Sequence, residues 1–158
     1  MDDTKRSKDG YLNFHKREPI IYTGQTDIRF GDLDPYGHLN AKHYLDLVAS
    51  TRLAYLERHL DCPLAKITKQ GIGFFLRSAE QNFQRPITGI CRINVDSWVT
   101  KVAGASLSVQ YRILSEDREK PFADGVLQYV VVNLQNERPT KVPHWLADLF
   151  LQPAVNTA

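Results

Sequence analysis

One apolar helical stripe, set between a single extended segment and four more, limits what this chain can fold into more than any other feature. After Asn40, the residues Tyr44, Leu45, Val48, Ala49, Leu53, Leu56 and Leu60 recur at three- and four-residue steps, the spacing of an amphipathic helix. Asn40 is a suitable N-cap, and Asp61 to Pro63 ends the pattern. A helix running to about His59 is roughly 28 Å long at 1.5 Å per residue. Asp46, Arg52, Glu57 and Arg58 are expected to face water or a partner.

Before this helix, residues 20–30 carry Ile20, Ile21, Tyr22, Thr23, Thr26, Ile28 and Phe30, a β-branched and aromatic content that predicts a strand, with Gly24 as a bulge. After it come four extended stretches, at about 71–85, 89–101, 106–115 and 122–133, broken where antiparallel strands reverse. Leu107, Val109, Tyr111 and Ile113 alternate as in a half-buried strand. A short helix over about 143–151, with Trp145, Leu146, Leu149 and Phe150 on one face, closes the pattern. A long apolar helix inserted after the first strand is covered only if the later strands curl around it. The expected architecture is therefore α+β, a five-stranded antiparallel sheet wrapped around one central helix: the hotdog plan. Exposed sheet edges predict a homodimer or homotetramer.

The domain is expected over residues 19–152, with a loose N-terminal arm at 1–18, whose apolar residues are Tyr11, Leu12 and Phe14, and a tail at 153–158. A chain of 158 residues can hide roughly 70% of its unfolded surface in one domain. Twenty Lys and Arg against 18 Asp and Glu give a net charge of +2, too little for the counterion-release binding of nucleic-acid proteins. No apolar run is long enough to span a bilayer and no signal-peptide pattern opens the sequence, so a cytoplasmic protein with no membrane partner is expected. Cys62 and Cys91 form no CxxC pair and read as packing residues.

Ionisable residues concentrate between the first strand and the helix, in Phe30-Gly31-Asp32-Leu33-Asp34-Pro35-Tyr36-Gly37-His38-Leu39-Asn40-Ala41. Asp, Pro and Gly make this a sharp reversal. The first amides of the following helix lack intrahelical partners and can stabilise a developing oxyanion, and a carboxylate just before them can act on the same carbonyl. Asp34 is an even choice between turn residue and base on these grounds, while Asp32 reads first as a turn carboxylate. His38 is a water-positioning candidate or a structural imidazole. Asn40 reads first as a cap. A calcium loop starting at Asp32 is disfavoured, because its fifth position is Tyr36 and its twelfth is His43 where a bidentate Glu is needed. Asp32, Asp34, His38 and His43 share no periodicity that would gather them around a metal, so no metal and no cofactor are expected.

The run DxDPxGHLNxxxY, with the helix carrying Arg52 after it, resembles the signature of the 4-hydroxybenzoyl-CoA thioesterase family. Arg85-Pro86-Ile87-Thr88-Gly89 is similar to a proline-to-glycine turn of that family, and Pro143 with Trp145 and Leu146 to a segment near its end. The likeness covers roughly residues 20–150, with two departures: Leu39-Asn40-Ala41 stands where many relatives have Val-Asn-Asn, and Gly89-Ile90 replaces Gly-Asp. The resemblance implies hydrolysis of an acyl-CoA, or less readily an acyl-ACP, to free acid and thiol. It makes Asp34 the base or nucleophile, the Ala41 amide the donor that polarises the thioester carbonyl, and His38 and Asn40 the residues that shape the loop. It also implies a site shared between two subunits. Arg85 and Lys101 are candidate phosphate contacts on charge alone. Two other readings stay open at this point: a hydratase or dehydratase acting on enoyl or hydroxyacyl thioesters, and a non-catalytic module that binds acyl thioesters.

Overall fold

The computed structural model describes residues 17–153. The expected arm therefore lies outside the described residues except for Arg17 and Glu18, and the tail except for Pro153. Those two arm residues are tied down: Arg17 donates from Nε to the Gln152 carbonyl at 2.7 Å and pairs with Asp148 at 2.8 Å, and the Glu18 carbonyl accepts from the Gln152 amide at 2.8 Å.

Strand β1 (Tyr22–Asp27) is followed by the central helix α1 (Tyr44–Leu60), a short helix α2 (Leu64–Lys69), and the long strands β2 (Ile72–Phe83), β3 (Arg92–Ala103), β4 (Ser106–Ser115) and β5 (Pro121–Asn133). A two-residue strand β6 (Arg138–Pro139) and a helical turn α3 (His144–Ala147) complete it. The five long strands form one antiparallel sheet in the order β1-β3-β4-β5-β2, with β6 beside the end of β5. This sheet curls around α1, the hotdog arrangement.

Alternation fixes the inner face. Ile93, Val95 and Val99 of β3, Leu107, Val109 and Ile113 of β4, and Leu127 and Val131 of β5 are buried against Val48 and Leu56 of α1. Burying a side chain of this size is worth roughly 1.5–3 kcal/mol, so this layer accounts for most of what holds helix to sheet. Gly24 does not form a bulge: it pairs in register with Val95, and a Cβ there would come within 3.1 Å of Thr51 on α1. Its missing side chain lets the helix lie close on β1. The ladder irregularities fall elsewhere, at Leu76/Ser78, Val99/Lys101 and Ile113/Leu114.

The end of α1 shows why the helix stops at Leu60. Asp61 takes the left-handed conformation (φ 47°), and the Cys62 amide reaches back to the Leu56 carbonyl at 2.9 Å, which closes the last turn without glycine. Cys62 and Cys91 are free thiols; Cys62 is buried, and burial pushes the Cys91 thiol pKa up. Arg52 faces water only in part. It is half-buried on the sheet-facing side of α1, donating to Ser97 Oγ at 3.0 Å with its guanidinium 4.8 Å from the Tyr22 ring centre.

Candidate active site

The loop between β1 and α1 is built by hydrogen bonds that assign its two carboxylates different work. Ile28 turns into the core after β1, and Phe30–Asp32 forms a 3-10 turn where the sequence pattern suggested continued strand. Asp32 causes this. Its Oδ2 accepts from the Arg29 amide at 2.8 Å, and its Oδ1 pairs with the Arg29 guanidinium at 3.1 Å. The Arg29 side chain beside Asp32 holds its carboxyl below the usual carboxylate range.

Asp32 thus forms a turn, the role its pattern gave first, and Asp34 forms the next one. Its Oδ1 accepts from the Tyr36 amide at 2.8 Å and the His38 amide at 3.1 Å. The main chain closes the same loop: Asp34 N donates to the His38 carbonyl at 2.7 Å, and Gly37 N to the Asp34 carbonyl at 3.0 Å. Gly37 sits at φ 75°, a conformation that glycine adopts without Cβ strain. Asp34 Oδ2 accepts no hydrogen bond among the described residues and remains available for chemistry.

The loop is laced to the segment between β2 and β3. His38 bridges to Thr88, Leu39 N donates to the Ile87 carbonyl at 2.8 Å, and Gly89 N to the Gly37 carbonyl at 2.9 Å. This lacing, with the close of the β1–α1 loop, gathers Asp34, His38, Ala41, Tyr44, Phe83 and Arg85 around a cleft of about 300 Å³. Ala41 opens a 3-10 turn, Ala41–His43, that runs directly into α1, and its amide has no hydrogen-bond partner among the described residues. Asn40 caps this turn, its Oδ1 accepting from Lys42 N at 3.2 Å, and does not line the cleft.

Arg85 lines the cleft, its backbone held to the Phe122 carbonyl at 3.1 Å. Lys101 lies outside it, near the far end of β3; nine residues from Arg92 correspond to about 30 Å of strand. Of the aromatic residues in the predicted strands, Phe83 lines the cleft and meets Tyr44 edge-on at 4.9 Å. Trp98 instead lies beneath Arg112, 5.7 Å from its guanidinium.

Tyr44 is the cleft residue that the sequence reading used only as an apolar helix position. Burial raises its phenol pKa, and the negative charge of Asp34 raises it further. Its place at the end of the DxDPxGHLNxxxY run was the signal available for it. Among the described residues no group of three or more His, Cys, Asp or Glu side chains gathers as a metal site, and no helix is long and apolar enough to cross a membrane.

The sequence profile of the thioesterase-like superfamily matches residues 28–150. No curated protein matches the chain. Among solved structures, the fold is similar to YbaW, a probable thioesterase from Escherichia coli, with 22% identity over 81% of this chain and 95% of that one and a TM-score of 0.72. A DHNA-CoA thioesterase from Staphylococcus aureus is 20% identical over 81% of this chain and 85% of its own, with a TM-score of 0.71. Another Staphylococcus aureus protein, solved in complex with CoA, is 11% identical over 83% of this chain and 82% of its own, with a TM-score of 0.72.

Proposed function

Because the chain belongs to the thioesterase-like superfamily, we propose that it hydrolyses an acyl-CoA to the free acid and CoA, in the cleft between Asp34 and the Ala41 amide. One observation carries this reading: a carboxylate with one oxygen fixed by two amides and the other unbonded lines the same cleft as an unpartnered first-turn amide. That pairing suits acyl transfer. The amide donates to the thioester carbonyl and holds the charge that develops on its oxygen, while Asp34 drives attack on the carbonyl carbon.

Asp34 acts either through water or directly. As a base it takes a proton from water while the water oxygen bonds to the carbonyl carbon. As a nucleophile it forms an anhydride that water then opens. In both routes the C–S bond breaks, and the CoA thiolate leaves to be protonated. His38, with its backbone fixed between Asp34 and Thr88, shapes the loop, and Asn40 supports the site by capping the turn that presents Ala41. Arg85 contacts the substrate at the mouth of the cleft, where its fixed charge suits a phosphate. Lys101 contributes only if a second subunit carries it to the cleft.

The sheet supports a homodimer. Strand β2 is a 12-residue edge with no neighbour on one side among the described residues, and it carries exposed Phe75 (51%), Leu76 (44%) and Phe83 (53%). A long apolar edge of this kind is stable in solution only when covered. Pairing two β2 strands covers it and brings a second subunit next to Phe83 in the cleft.

The test is release of free thiol from a panel of acyl-CoAs differing in chain length and ring character, run alongside an acyl-ACP and an enoyl-CoA followed by its ultraviolet absorbance. Thiol release from at least one member supports hydrolysis. Hydration of the enoyl-CoA without thiol release, or tight binding of all of them without turnover, contradicts it.

A further inference from the structure

A half-buried cation without an acid lies away from the thioester cleft. Arg52 follows Val48 and precedes Leu56 at four-residue steps on the sheet-facing side of α1, where it is half-buried and desolvation lowers its pKa. Its partners are a hydroxyl and a ring: Ser97 Oγ at 3.0 Å and the face of Tyr22 at 4.8 Å. No carboxylate pairs with it among the described residues, and its Nε and Nη2 donate to no protein acceptor there.

Arg52 lines a cavity of about 390 Å³ between α1, α2 and the concave face of the sheet. The rest of its lining is mostly apolar, including Phe74 and Val109, with Tyr129 as a polar exception. Leu53, Leu64, Phe75 and Leu134 are exposed residues of the same lining. None of the cleft residues lines this cavity. On β2 the cavity takes Gly73–Phe75 and the cleft takes Phe83, and eight residues of strand put Phe75 and Phe83 about 26 Å apart.

A mostly apolar cavity with one half-buried cation on its wall has the chemistry of a site for an anion with an apolar body. The free edge of Arg52 specifies the anion further. Nε and Nη2 form the side of the guanidinium that grips a carboxylate with two parallel bonds, as Arg92 grips Asp27 in this chain at 2.8 and 3.3 Å. We infer that this cavity is a second ligand site, which binds an alkyl or aryl carboxylate with its acid on Arg52 and its body between α1 and the sheet. The inference does not depend on the hydrolase reading.

The experiment titrates the full chain with decanoate and with decanol, which has the same body and no charge, while following the Arg52 Nε–H resonance by NMR. The site predicts that decanoate binds at least tenfold more tightly than decanol and moves the Arg52 resonance. It also predicts that Arg52→Gln reduces decanoate affinity to that of decanol, while Arg52→Lys restores part of the difference. Equal affinity for the two ligands overturns the inference. So does an acid that moves the amides of residues 34–41 and leaves Arg52 still, because it then sits in the thioester cleft. Should Arg52→Gln not fold, the ratio for the unaltered protein and its Nε–H resonance decide the matter alone.

Discussion

Asp34 has two roles that substitution can separate, because one depends on an oxygen and the other on a charge. Oδ1 accepts from the Tyr36 amide, which is exposed, and from the His38 amide, which is partly buried. A net hydrogen bond is worth about 0.5–1.5 kcal/mol, with the exposed one near the lower end because water replaces it. Asp34→Ala removes both and should cost about 1–2 kcal/mol. For a domain of this size that corresponds to a fall in Tm of about 3–6 °C. Asp34→Asn keeps an oxygen in the same place and should cost less than about 0.5 kcal/mol, while removing the carboxylate that the proposed chemistry needs. Calorimetry and urea unfolding, at one protein concentration because the stability of the proposed dimer would depend on it, measure both. Thiol release should be lost in both variants. Equal destabilisation by Ala and Asn would refute the reasoning, since the charge and not the acceptor geometry would then hold the turn.

Other outcomes follow from single contacts. Gly125→Ala places a Cβ 2.2 Å from the Glu80 carbonyl and 2.7 Å from the Tyr111 ring, so β2 and β5 must part; a loss of about 2–3 kcal/mol in urea unfolding is expected. Asp32, whose pKa is lowered by Arg29, contributes stability that is present above its unfolded pKa of about 3.9 and is lost as pH falls through its lower folded value. The stability difference between the unaltered protein and Asp32→Asn, about 1 kcal/mol, should therefore be constant above about pH 5 and close below about pH 4 in urea unfolding. Leu76→Lys on the exposed edge of β2 should shift sedimentation equilibrium from dimer to monomer, and an unchanged dimer would place the interface elsewhere.

The sequence carried the fold further than it carried the boundaries of its parts. The apolar spacing from Tyr44 to Leu60 and the alternation in β4 are set by burial on one face, and both survive in the structure with little change. Helix α2 was illegible because only Ile67 among its six residues is buried, which leaves no period to detect. The C-terminal helix is shorter than its apolar residues suggested, since Leu149 to Leu151 leave the helix to pack on the chain near Pro19 and Ile20.

In the loop, the same two-residue spacing let Asp32 and Asp34 each form a turn. Asp32 is tied to the guanidinium of Arg29, three residues earlier, because residues 30–32 form a 3-10 turn instead of continuing the strand, and Asp34 is left with an unbonded oxygen. Arg52 is half-buried where its charge pointed outward, because its four-residue spacing from Val48 and Leu56 turns it toward the sheet, where Ser97 and Tyr22 meet it.

The role of the Asp34 carboxylate is tested by kcat/KM for thiol release from the best acyl-CoA, compared between the unaltered protein, Asp34→Asn and Asp32→Asn. A fall of more than about a hundredfold is expected for Asp34→Asn, roughly 2.7 kcal/mol of transition-state stabilisation, with Asp32→Asn remaining within about tenfold. Thioester hydrolysis that persists in Asp34→Asn, or that is lost equally in both, would contradict it.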